Sequence, residues 1–336
     1  MRAAVLTAEG RLAVAEVDDP EPGPGEVLVA VDRCGICGSD LHLRRAGVLP
    51  AGTIMGHELS GRVVARGDGG GPAEGARVAV FPSAPCGSCR TCLEGRHEIC
   101  LQLAPTAVGL GPVPGGYAEA MVAATASCFP LPDAVGPELG ALTEPYAVGL
   151  HAVRRSGVRP GDPVGVIGAG PIGLTTLAAL RAEGVGDVVV AERNPRRRAA
   201  AGAVGATAVV EDATRIDGAL GEQPAVVFEC AGAALTTSLA LQLVRPGGTV
   251  ALVGVAGFED PLSLVGAMLV IKEVDVVPCL AYTLEEFGTA VDHLAAGALD
   301  PGAVVSEVRP LEDAEAAFAD LERPDGPVKL LLAPDA

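Results

Sequence analysis

Four cysteines follow one another closely in the sequence, at Cys86, Cys89, Cys92 and Cys100. Loops with this spacing can turn four thiolates onto one ion, and four thiolates complete the tetrahedral shell of zinc with no position left for a substrate. Such a site holds a loop in place and performs no reaction. Two disulfides are the alternative, but the N-terminus has no secretory pattern and a chain of 336 residues does not depend on such cross-links. The spacing therefore predicts a structural zinc site.

A second set of residues offers the ligand types that a reactive zinc site needs. Its thiol, imidazole and carboxylate groups lie on two nearby segments, with Cys34, Cys37 and His42 on the first and His57 and Glu58 on the second. A catalytic zinc ion takes about three such ligands and keeps one position open. Cys34 and Cys37 also form a C-x-x-C pair, but no thioredoxin-like strand and helix surround them, so a redox role is disfavoured. These residue types predict a second zinc ion with a vacancy.

A glycine-rich segment directly follows an apolar strand pattern. It reads Gly168-Ala-Gly170-Pro171-Ile172-Gly173 and opens a stretch rich in Ala and Leu. The first glycine of a G-x-G-x-x-G segment permits a tight turn, the second lets backbone amides approach a pyrophosphate, and the third lets helix and strand pack closely. The segment predicts a dinucleotide cradle, and we expect all five named residues to contact the coenzyme.

An acidic residue ends the next apolar strand pattern. Glu192 lies 19 residues beyond Gly173 (192 − 173), where an acidic side chain receives the ribose hydroxyls of the adenosine. This position favours NAD over NADP. Arg193 and Arg197, within a basic run that includes Arg196 and Arg198, could instead hold a 2′-phosphate, or could form the solvated first turn of a helix. We therefore expect NAD as the coenzyme and leave NADP open.

Two kinds of sequence pattern predict the secondary-structure elements that position these residues. From Met1 to about Leu131 the apolar residues form short runs between Gly and Pro clusters, which predicts an antiparallel β domain. From about Gly161, β-branched runs alternate with Ala-rich and Leu-rich helical stretches, which predicts a parallel sheet. The expected strands are Glu26–Val31, Gly61–Ala65, Arg77–Phe81, Tyr117–Val122, Val164–Ile167, Val188–Ala191, Val226–Phe228 and Val250–Val255.

The end of the chain carries two helical patterns, Leu284–Ala295 and Leu311–Leu321, and a last strand pattern, Val328–Leu332. These elements could extend the parallel domain or return to the first one. The sequence itself leaves the two possibilities open.

Charge and composition limit the partners. The net charge is −18 and the pI is about 4.6, so the chain repels nucleic acid and anionic lipid. Its most apolar long stretch, from Ala225 to Val244, is interrupted by polar residues and suits a buried strand followed by a helix better than a membrane span. Nine cysteines without an export signal favour the cytoplasm. We expect no nucleic-acid partner and no membrane partner.

Taken in order along the chain, the motifs resemble the zinc-dependent medium-chain alcohol and polyol dehydrogenases, in the sorbitol dehydrogenase-like branch. The resemblance extends from the first strand to Lys329. The motifs that carry it are Gly-Ile-Cys37-Gly-Ser-Asp, Gly56-His57-Glu58, the four-cysteine loop, Glu144-Pro145-Tyr-Ala-Val148, the glycine cradle, Phe228-Glu-Cys-Ala-Gly232, Arg245-Pro-Gly-Gly248 and Lys272-Glu273.

The resemblance implies the α/β architecture of that family. A GroES-like, β-rich catalytic zinc domain would comprise residues 1–150 and 286–336, so that the last strand returns to the first domain. A Rossmann domain with a doubly wound parallel sheet would bind the coenzyme between them, at residues 151–285. Two zinc ions per chain are implied, one catalytic and one structural, together with a homodimer or homotetramer.

The resemblance also implies roles for individual residues. Cys37 and His57 would bind the catalytic zinc, Glu58 would lie in or beside the ligand shell, and Glu144 would ligate the ion directly or through water. Glu144 takes the position at which simple-alcohol members carry a cysteine, and an acid favoured by a helix N-terminus is its alternative role. Asp40 would orient a ligand.

The catalytic proton would leave through the hydroxyl of Ser39 and the imidazole of His42. For each residue the alternative is a simple turn or loop position.

The implied activity is hydride transfer between a secondary alcohol and NAD(P), giving the ketone. Glu144 favours a polyol, sugar or cyclitol-like substrate. Simple-alcohol, threonine and formaldehyde dehydrogenases are alternatives within the superfamily. A zinc-stabilised nucleotide-binding protein without catalysis is an alternative of another class, but it would be expected to lack the reactive-site ligands.

Overall fold

The computed structural model describes residues 1–255, 262 and 264–334. Its strands are β1 Arg2–Leu6, β2 Leu12–Glu16, β3 Glu26–Gly35, β4 Glu58–Arg66, β5 Arg77–Val80, β6 Ala120–Ala124, β7 Cys128–Pro130, β8 Val164–Ile167, β9 Val188–Ala191, β10 Ala208–Val210, β11 Val226–Glu229, β12 Thr249–Leu252, β13 Asp275–Pro278, β14 Val305–Pro310 and β15 Lys329–Ala333.

The α-helices lie between these strands. They are α1 Gly38–Ala46, α2 Arg90–Leu93, α3 Pro137–Ser156, α4 Pro171–Ala182, α5 Pro195–Val204, α6 Ile216–Leu220, α7 Ala234–Leu243, α8 Gly266–Lys272, α9 Leu284–Ala295 and α10 Ala314–Leu321. The chain divides into two compact units, which are unit 1 (Met1–Glu144, Thr283–Ala296 and Val305–Ala336) and unit 2 (Pro145–Tyr282 and Gly297–Val304).

Unit 1 is built on a sheet of seven strands in the order β14-β15-β3-β4-β5-β7, with β6 paired to β3. The pairs that β3 forms with β4 and with β6 are antiparallel, as are β4-β5 and β5-β7. Along β3 the side chains of Val27, Val29 and Val31 are buried while their neighbours are less so, because successive residues of a strand face opposite sides. The predicted antiparallel β domain is confirmed.

The last strand of the chain joins this same sheet. β15 pairs antiparallel with β3, with Leu331 opposite Gly35, and parallel with β14. The expected return to the first domain is therefore confirmed. The predicted helix at Leu311–Leu321 begins as a 3-10 turn over Leu311–Asp313 and continues as α10.

Unit 2 contains a six-stranded parallel sheet in the order β10-β9-β8-β11-β12-β13. Numbered within the sheet, this is the order 3-2-1-4-5-6 of the doubly wound dinucleotide-binding fold, which reverses direction between β8 and β11. The predicted strand Val250–Val255 is shorter in the structure and ends at Leu252. The reason is local, because Gly254 passes so close to Gly232 that a side-chain carbon at Gly254 would lie 2.3 Å from the Gly232 amide nitrogen.

Two expectations about helices can be compared with the structure. The stretch from Ala225 to Val244 forms β11 followed by α7, as expected, and no helix of the described residues is long and apolar enough to cross a bilayer. The alternative role of Glu144 as an acid at a helix N-terminus is wrong. α3 begins at Pro137, so Glu144 lies inside the helix and Glu138 is the acid of its first turn.

Candidate metal centres and nucleotide cradle

The four cysteines of the loop after β5 converge on one point. Their ligand atoms all lie within 4.8 Å of one another, and the sulfurs of Cys86 and Cys92 are 4.0 Å apart while those of Cys89 and Cys100 are 3.9 Å apart. Four sulfurs at about 2.3 Å from a tetrahedral zinc ion would be about 3.8 Å from one another. All four cysteines are free thiols rather than disulfides, so the donor set and its geometry fit zinc.

Backbone amides of this loop donate hydrogen bonds to the cysteine sulfurs, which fixes the sulfurs in positions suited to a cation. The amide of Cys89 donates to Cys86 Sγ at 3.3 Å, and the amides of Cys86 and Gln102 each donate to Cys100 Sγ at 3.4 Å. The Thr91 hydroxyl, followed by backbone amides, lowers the pKa of Cys89 to about 5, whereas burial raises the pKa of Cys92 to about 12. Zinc is bound by thiolates, so a bound cation would take the place of the remaining thiol protons.

The second cluster is assembled by the register between β3 and β4. Gly35 at the end of β3 lies opposite Glu58 at the start of β4, so the residues just beyond, Cys37 and His57, come together at one end of the pair. Cys37, His57 and Glu58 present ligand atoms within 4.8 Å of one another. Gly35 is required here, because a side-chain carbon at this position would lie 2.1 Å from Glu58 Oε2.

Asp40 contacts both Cys37 and His57 of this cluster. Its Oδ2 accepts the Cys37 amide at 2.9 Å and its Oδ1 lies 3.5 Å from His57 Nδ1. Burial disfavours charging of the imidazole, but the Asp40 and Cys37 anions more than offset it, and the pKa of His57 is raised well above its usual value. A thiol, an imidazole and a carboxylate whose ligand atoms lie this close together suit a divalent cation such as zinc. With Nδ1 turned to Asp40, Nε2 is the nitrogen available to a metal.

Cys34 is not among the clustered ligand residues Cys37, His57 and Glu58. It is fully buried in the apolar core of unit 1, and burial raises the pKa of its thiol well above the usual value. Cys37, in contrast, precedes α1 and belongs to the metal-ligand cluster. The two cysteines of the C-x-x-C pair therefore have different surroundings.

A buried lysine was not anticipated from the sequence as part of this site. Lys329, on β15, forms an ion pair with Glu58 Oε2 and donates to the Ile36 carbonyl at 2.8 Å. Burial lowers the pKa of the ammonium, but Glu58, Cys37 and Glu144 outweigh it and the pKa is raised. The residues lie far apart in sequence, so no local pattern could have indicated the contact.

The other predicted site residues lie at different distances from the cluster. Ser39 Oγ is 3.3 Å from His57 Nε2, and His42 follows one turn later on α1, on the same face. Glu144 is buried in α3 and contributes to the raised pKa of Lys329, but it is not among the residues whose ligand atoms lie within 4.8 Å of one another. The structure thus brings Cys37, Ser39, His57 and Glu58 together and leaves Glu144 outside this closest group.

The glycine cradle lies between β8 and α4, at the reversal point of the sheet of unit 2. A side-chain carbon at Gly173 would lie 1.9 Å from the Gly168 carbonyl oxygen, and Gly168 itself has a φ of +99°. Around Gly170, which precedes the first turn of α4 at Pro171, a side-chain carbon would have nothing of the described chain within 4 Å. The structure therefore has close packing at the first and third glycines and open space at the second, where a pyrophosphate would approach.

Glu192 lies directly after β9, beside the cradle. Its Oε2 accepts the Ala169 amide and its Oε1 accepts the Asn194 amide, each at 2.8 Å. Arg193 is exposed, whereas Arg197 is half-buried in the first turn of α5, and its Nε has no hydrogen-bond partner within the described part of the chain. The acid is thus tied to the glycine segment, and a basic group is available nearby.

A second acid lies at the carboxyl end of this sheet, within the motif Phe228-Glu-Cys-Ala-Gly232. Glu229, at the end of β11, is 1% exposed, and its carboxylate accepts the amides of Ala231 and Gly232 and the Thr236 hydroxyl at 2.8–3.2 Å. It fixes the loop between β11 and α7, whose Ala231 lies against Gly168. A buried acid at a strand end followed by small residues is the signal that could have indicated it.

Both parts of the chain are similar in sequence to known protein families. Residues 23–133 match the alcohol dehydrogenase GroES-like domain, and residues 171–296 match the zinc-binding dehydrogenase family. Bovine sorbitol dehydrogenase is 36% identical over 330 residues, covering 94% of this chain and 91% of that protein.

Two solved structures extend the likeness to the whole fold. A provisionally assigned zinc-binding dehydrogenase from Sinorhizobium meliloti, bound to NADP, has a TM-score of 0.91 and 32% identity, covering 99% of each chain. Galactitol-1-phosphate dehydrogenase from Escherichia coli has a TM-score of 0.89 and 29% identity, covering 99% of this chain and 100% of that one.

These matches confirm the predicted family, the GroES-like and Rossmann fold class, and an enzyme that depends on zinc and NAD(P). They favour catalysis over the zinc-stabilised binding protein considered from the sequence. The two metal-ligand clusters and the glycine cradle are the features that such an enzyme requires. The chain therefore belongs to the zinc-dependent medium-chain alcohol dehydrogenases, in the branch that contains sorbitol dehydrogenase.

Proposed function

We propose that this enzyme oxidises a secondary alcohol of a polyol, sugar or cyclitol to the ketone, with NAD as the preferred acceptor. The observation that carries the proposal is the meeting of Cys37, Ser39 and His57 at one end of the β3-β4 pair, because it joins metal ligands to a hydroxyl group. Bovine sorbitol dehydrogenase supports the substrate class. The chain has only six Phe, three Tyr and no Trp, which favours a hydroxyl-rich substrate over a large apolar one.

We assign the catalytic zinc to Cys37 and His57, with Glu58 and Glu144 as the carboxylates beside it. Glu58 forms an ion pair with Lys329, so its negative charge is already partly compensated. This supports a place for the Glu58 carboxylate at the edge of the zinc ligand shell. The charge of Glu144 acts on the same lysine, which supports a role for this carboxylate at the site directly or through water. The structural zinc is assigned to Cys86, Cys89, Cys92 and Cys100.

A zinc ion held by these residues would supply Lewis acidity toward the alcohol oxygen, and a nicotinamide coenzyme would supply the hydride acceptor. The protein supplies the geometry and the path for the proton. Asp40 holds the imidazole of His57 so that Nε2 points away from the carboxylate. Ser39, next to this nitrogen, takes the hydroxyl proton of the substrate, and His42 on the same face of α1 passes it toward solvent.

The coenzyme is assigned to the cradle of unit 2. Gly168, Gly170, Pro171, Ile172 and Gly173 would surround the pyrophosphate, and Glu192 would accept the ribose hydroxyls of the adenosine. A 2′-phosphate would meet the negative charge of Glu192, which favours NAD. Arg193 and Arg197 are the residues through which NADP could still bind.

For the whole chain we assign residues 1–150 and 286–336 to the catalytic domain, residues 151–285 to the coenzyme domain, and the protein to the cytoplasm. We also propose a homodimer or homotetramer. Support comes from β13, the last strand in the order of its sheet, and from the neighbouring residues Val270 and Ile271 of α8, which are 77% and 82% exposed. An apolar patch beside a sheet edge is suited to pairing with a second copy of the chain.

The function is tested by a reduction screen with NAD and NADP over polyols, cyclitols, sugars and simple secondary alcohols, with zinc measured on the same samples. We expect two zinc ions per chain and the highest kcat/KM with NAD and a hydroxyl-rich secondary alcohol. Preference for a simple primary alcohol, or for NADP, would contradict the corresponding part of the proposal.

A further inference from the structure

A buried tyrosine lies behind the proposed reactive site. The Tyr117 hydroxyl donates to Asp40 Oδ2 at 2.7 Å, and both residues are 0% exposed. Burial, followed by the charge of Asp40, raises the pKa of Tyr117 well above its usual value, so the hydroxyl remains a donor. A buried hydrogen bond to a carboxylate is short and strong, and losing it deprives the buried carboxylate of one of its donors.

The ring of this tyrosine is fixed on both sides. A side-chain carbon at Gly56 would lie 2.5 Å from the Tyr117 ring, so the ring rests directly on the backbone next to His57. Phe318 meets the ring edge to face, with the two centroids 6.1 Å apart. The hydroxyl therefore has a defined position, and its contact with Asp40 does not depend on a mobile side chain.

The Asp40 carboxylate, which this hydrogen bond holds, in turn contacts both proposed metal ligands. The same Oδ2 that accepts from Tyr117 also accepts the Cys37 amide at 2.9 Å, and Oδ1 lies 3.5 Å from His57 Nδ1. If the carboxylate rotated, it would release the Cys37 amide and break the ion-pair contact with the imidazole of His57. The groups that hold metal ligands in place commonly affect metal affinity by 10-fold to 100-fold.

We infer that Tyr117 is a positioning residue of the reactive metal site, which fixes the Asp40 carboxylate and through it the His57 imidazole. This inference rests on the proposed assignment of zinc to Cys37 and His57. It goes beyond that assignment because Tyr117 is not among the proposed metal ligands or the proposed coenzyme-binding residues. Its effect should therefore be visible in the retention of zinc, independently of turnover.

The test is the rate of zinc release from the zinc-loaded full chain into a chromophoric chelator. Tyr117→Phe keeps the ring and removes only the hydroxyl. We expect release from the reactive site to accelerate by about 10-fold or more, while release from the four-cysteine site stays unchanged. Cys92→Ser identifies the four-cysteine phase, and Tyr282→Phe, a buried tyrosine of unit 2, serves as the matched control.

A double-mutant cycle separates positioning from general packing. In the background of Asp40→Ala, Tyr117→Phe should add nothing to the release rate, because the hydroxyl acts through Asp40. An equal acceleration in both backgrounds, an unchanged rate in Tyr117→Phe, or loss of the four-cysteine zinc as well would overturn the inference. A single zinc phase in the unmodified protein would instead refute the proposed reactive site.

Discussion

The ion pair between Lys329 and Glu58 places two buried charges next to the proposed catalytic zinc. Each side chain is no more than 2% exposed, and the ammonium also donates to the Ile36 carbonyl. A buried pair of this kind contributes little net stability, because desolvation of the two ions cancels most of their attraction. Loss of one partner is costly, since the other charge then stays buried without compensation.

Lys329→Met is therefore expected to lower the free energy of unfolding by about 3–5 kcal/mol. Urea denaturation of the zinc-loaded protein measures the change. The matched control is the double variant Lys329→Met with Glu58→Gln, which removes both charges and should recover most of the loss. If the single variant is as stable as the unmodified protein, or the double variant is no better than the single one, the proposed cost of an unpaired Glu58 is wrong.

Ser39 is the residue proposed to receive the substrate proton. Ser39→Ala should lower kcat by about 100-fold, with a smaller effect on KM and with zinc content unchanged. Steady-state kinetics between pH 6 and 9 measure this effect. Ser127→Ala, which removes another buried hydroxyl of unit 1, is the control, and turnover in Ser39→Ala equal to that of the control would refute the relay.

At the scale of single residues, the sequence predicted ligand types better than contacts. Cys37 and His57 could be identified because thiolate and imidazole suit zinc, and the β3-β4 register does bring them together. The contacts of Lys329 and Tyr117 could not be predicted, because they join residues 293 and 77 positions apart. Such pairs depend on how the strands assemble, which no local pattern specifies.

The four-cysteine loop is an element with little apolar support of its own. α2 is only four residues long, and Leu93 and Leu101 are 75% and 76% exposed. A segment with so few buried apolar contacts opens readily unless another interaction holds it. The proposed zinc would be that interaction, since metal binding supplies folding free energy directly.

Removal of one ligand should consequently free this loop while the rest of the fold persists. In Cys92→Ser we expect the zinc content to fall from two to one per chain and trypsin to cut at Arg90 and Arg96 at least about 10-fold faster, because the loop samples open states. Cleavage is followed by mass spectrometry. Cys128→Ser, a buried cysteine outside both clusters, is the control, and equal protection of the loop in both variants would contradict a structural zinc.

The bounds of helices and strands were predicted most accurately where the local sequence pattern is strongest. β8, β9 and α9 have the expected bounds, because apolar runs and a Thr283 cap define their ends. β3 is longer than its apolar run, since pairing with β4 and β15 continues to Gly35. The helix around Glu144 begins earlier than expected, because α3 starts at Pro137, a residue favoured in the first turn of a helix.

For the whole molecule, the exposed apolar residues beside β13 bear on assembly. Ile271→Glu would place a charge in this patch, and we expect the mass in solution to fall from that of a dimer or tetramer to that of the monomer. Light scattering after gel filtration measures the mass. Val64→Glu, an exposed apolar residue of unit 1, is the matched control, and an unchanged mass for Ile271→Glu would exclude this patch as the interface.

The division of the molecule into a turn-rich antiparallel sheet and a parallel sheet was predictable, because the two parts of the chain have different patterns of apolar residues. The return of β15 to the first sheet was open from the sequence pattern and followed only from resemblance to a family. Val328–Leu332 is an apolar run that would fit a central strand of either sheet. Its pairing with Gly35 and Cys34 is decided by the assembled sheet.

The long separation of Lys329 from Ile36 along the chain also sets an order of events during translation. The four cysteines are made almost together, whereas Ile36 and Lys329 are separated by 293 residues, a gap of roughly 15–60 s at 5–20 residues per second. The four-cysteine loop can capture its ion while the ribosome is still working. The proposed reactive pocket, in contrast, lacks its buried counterion until β15 has emerged, so we expect its metal to be bound after that of the four-cysteine loop.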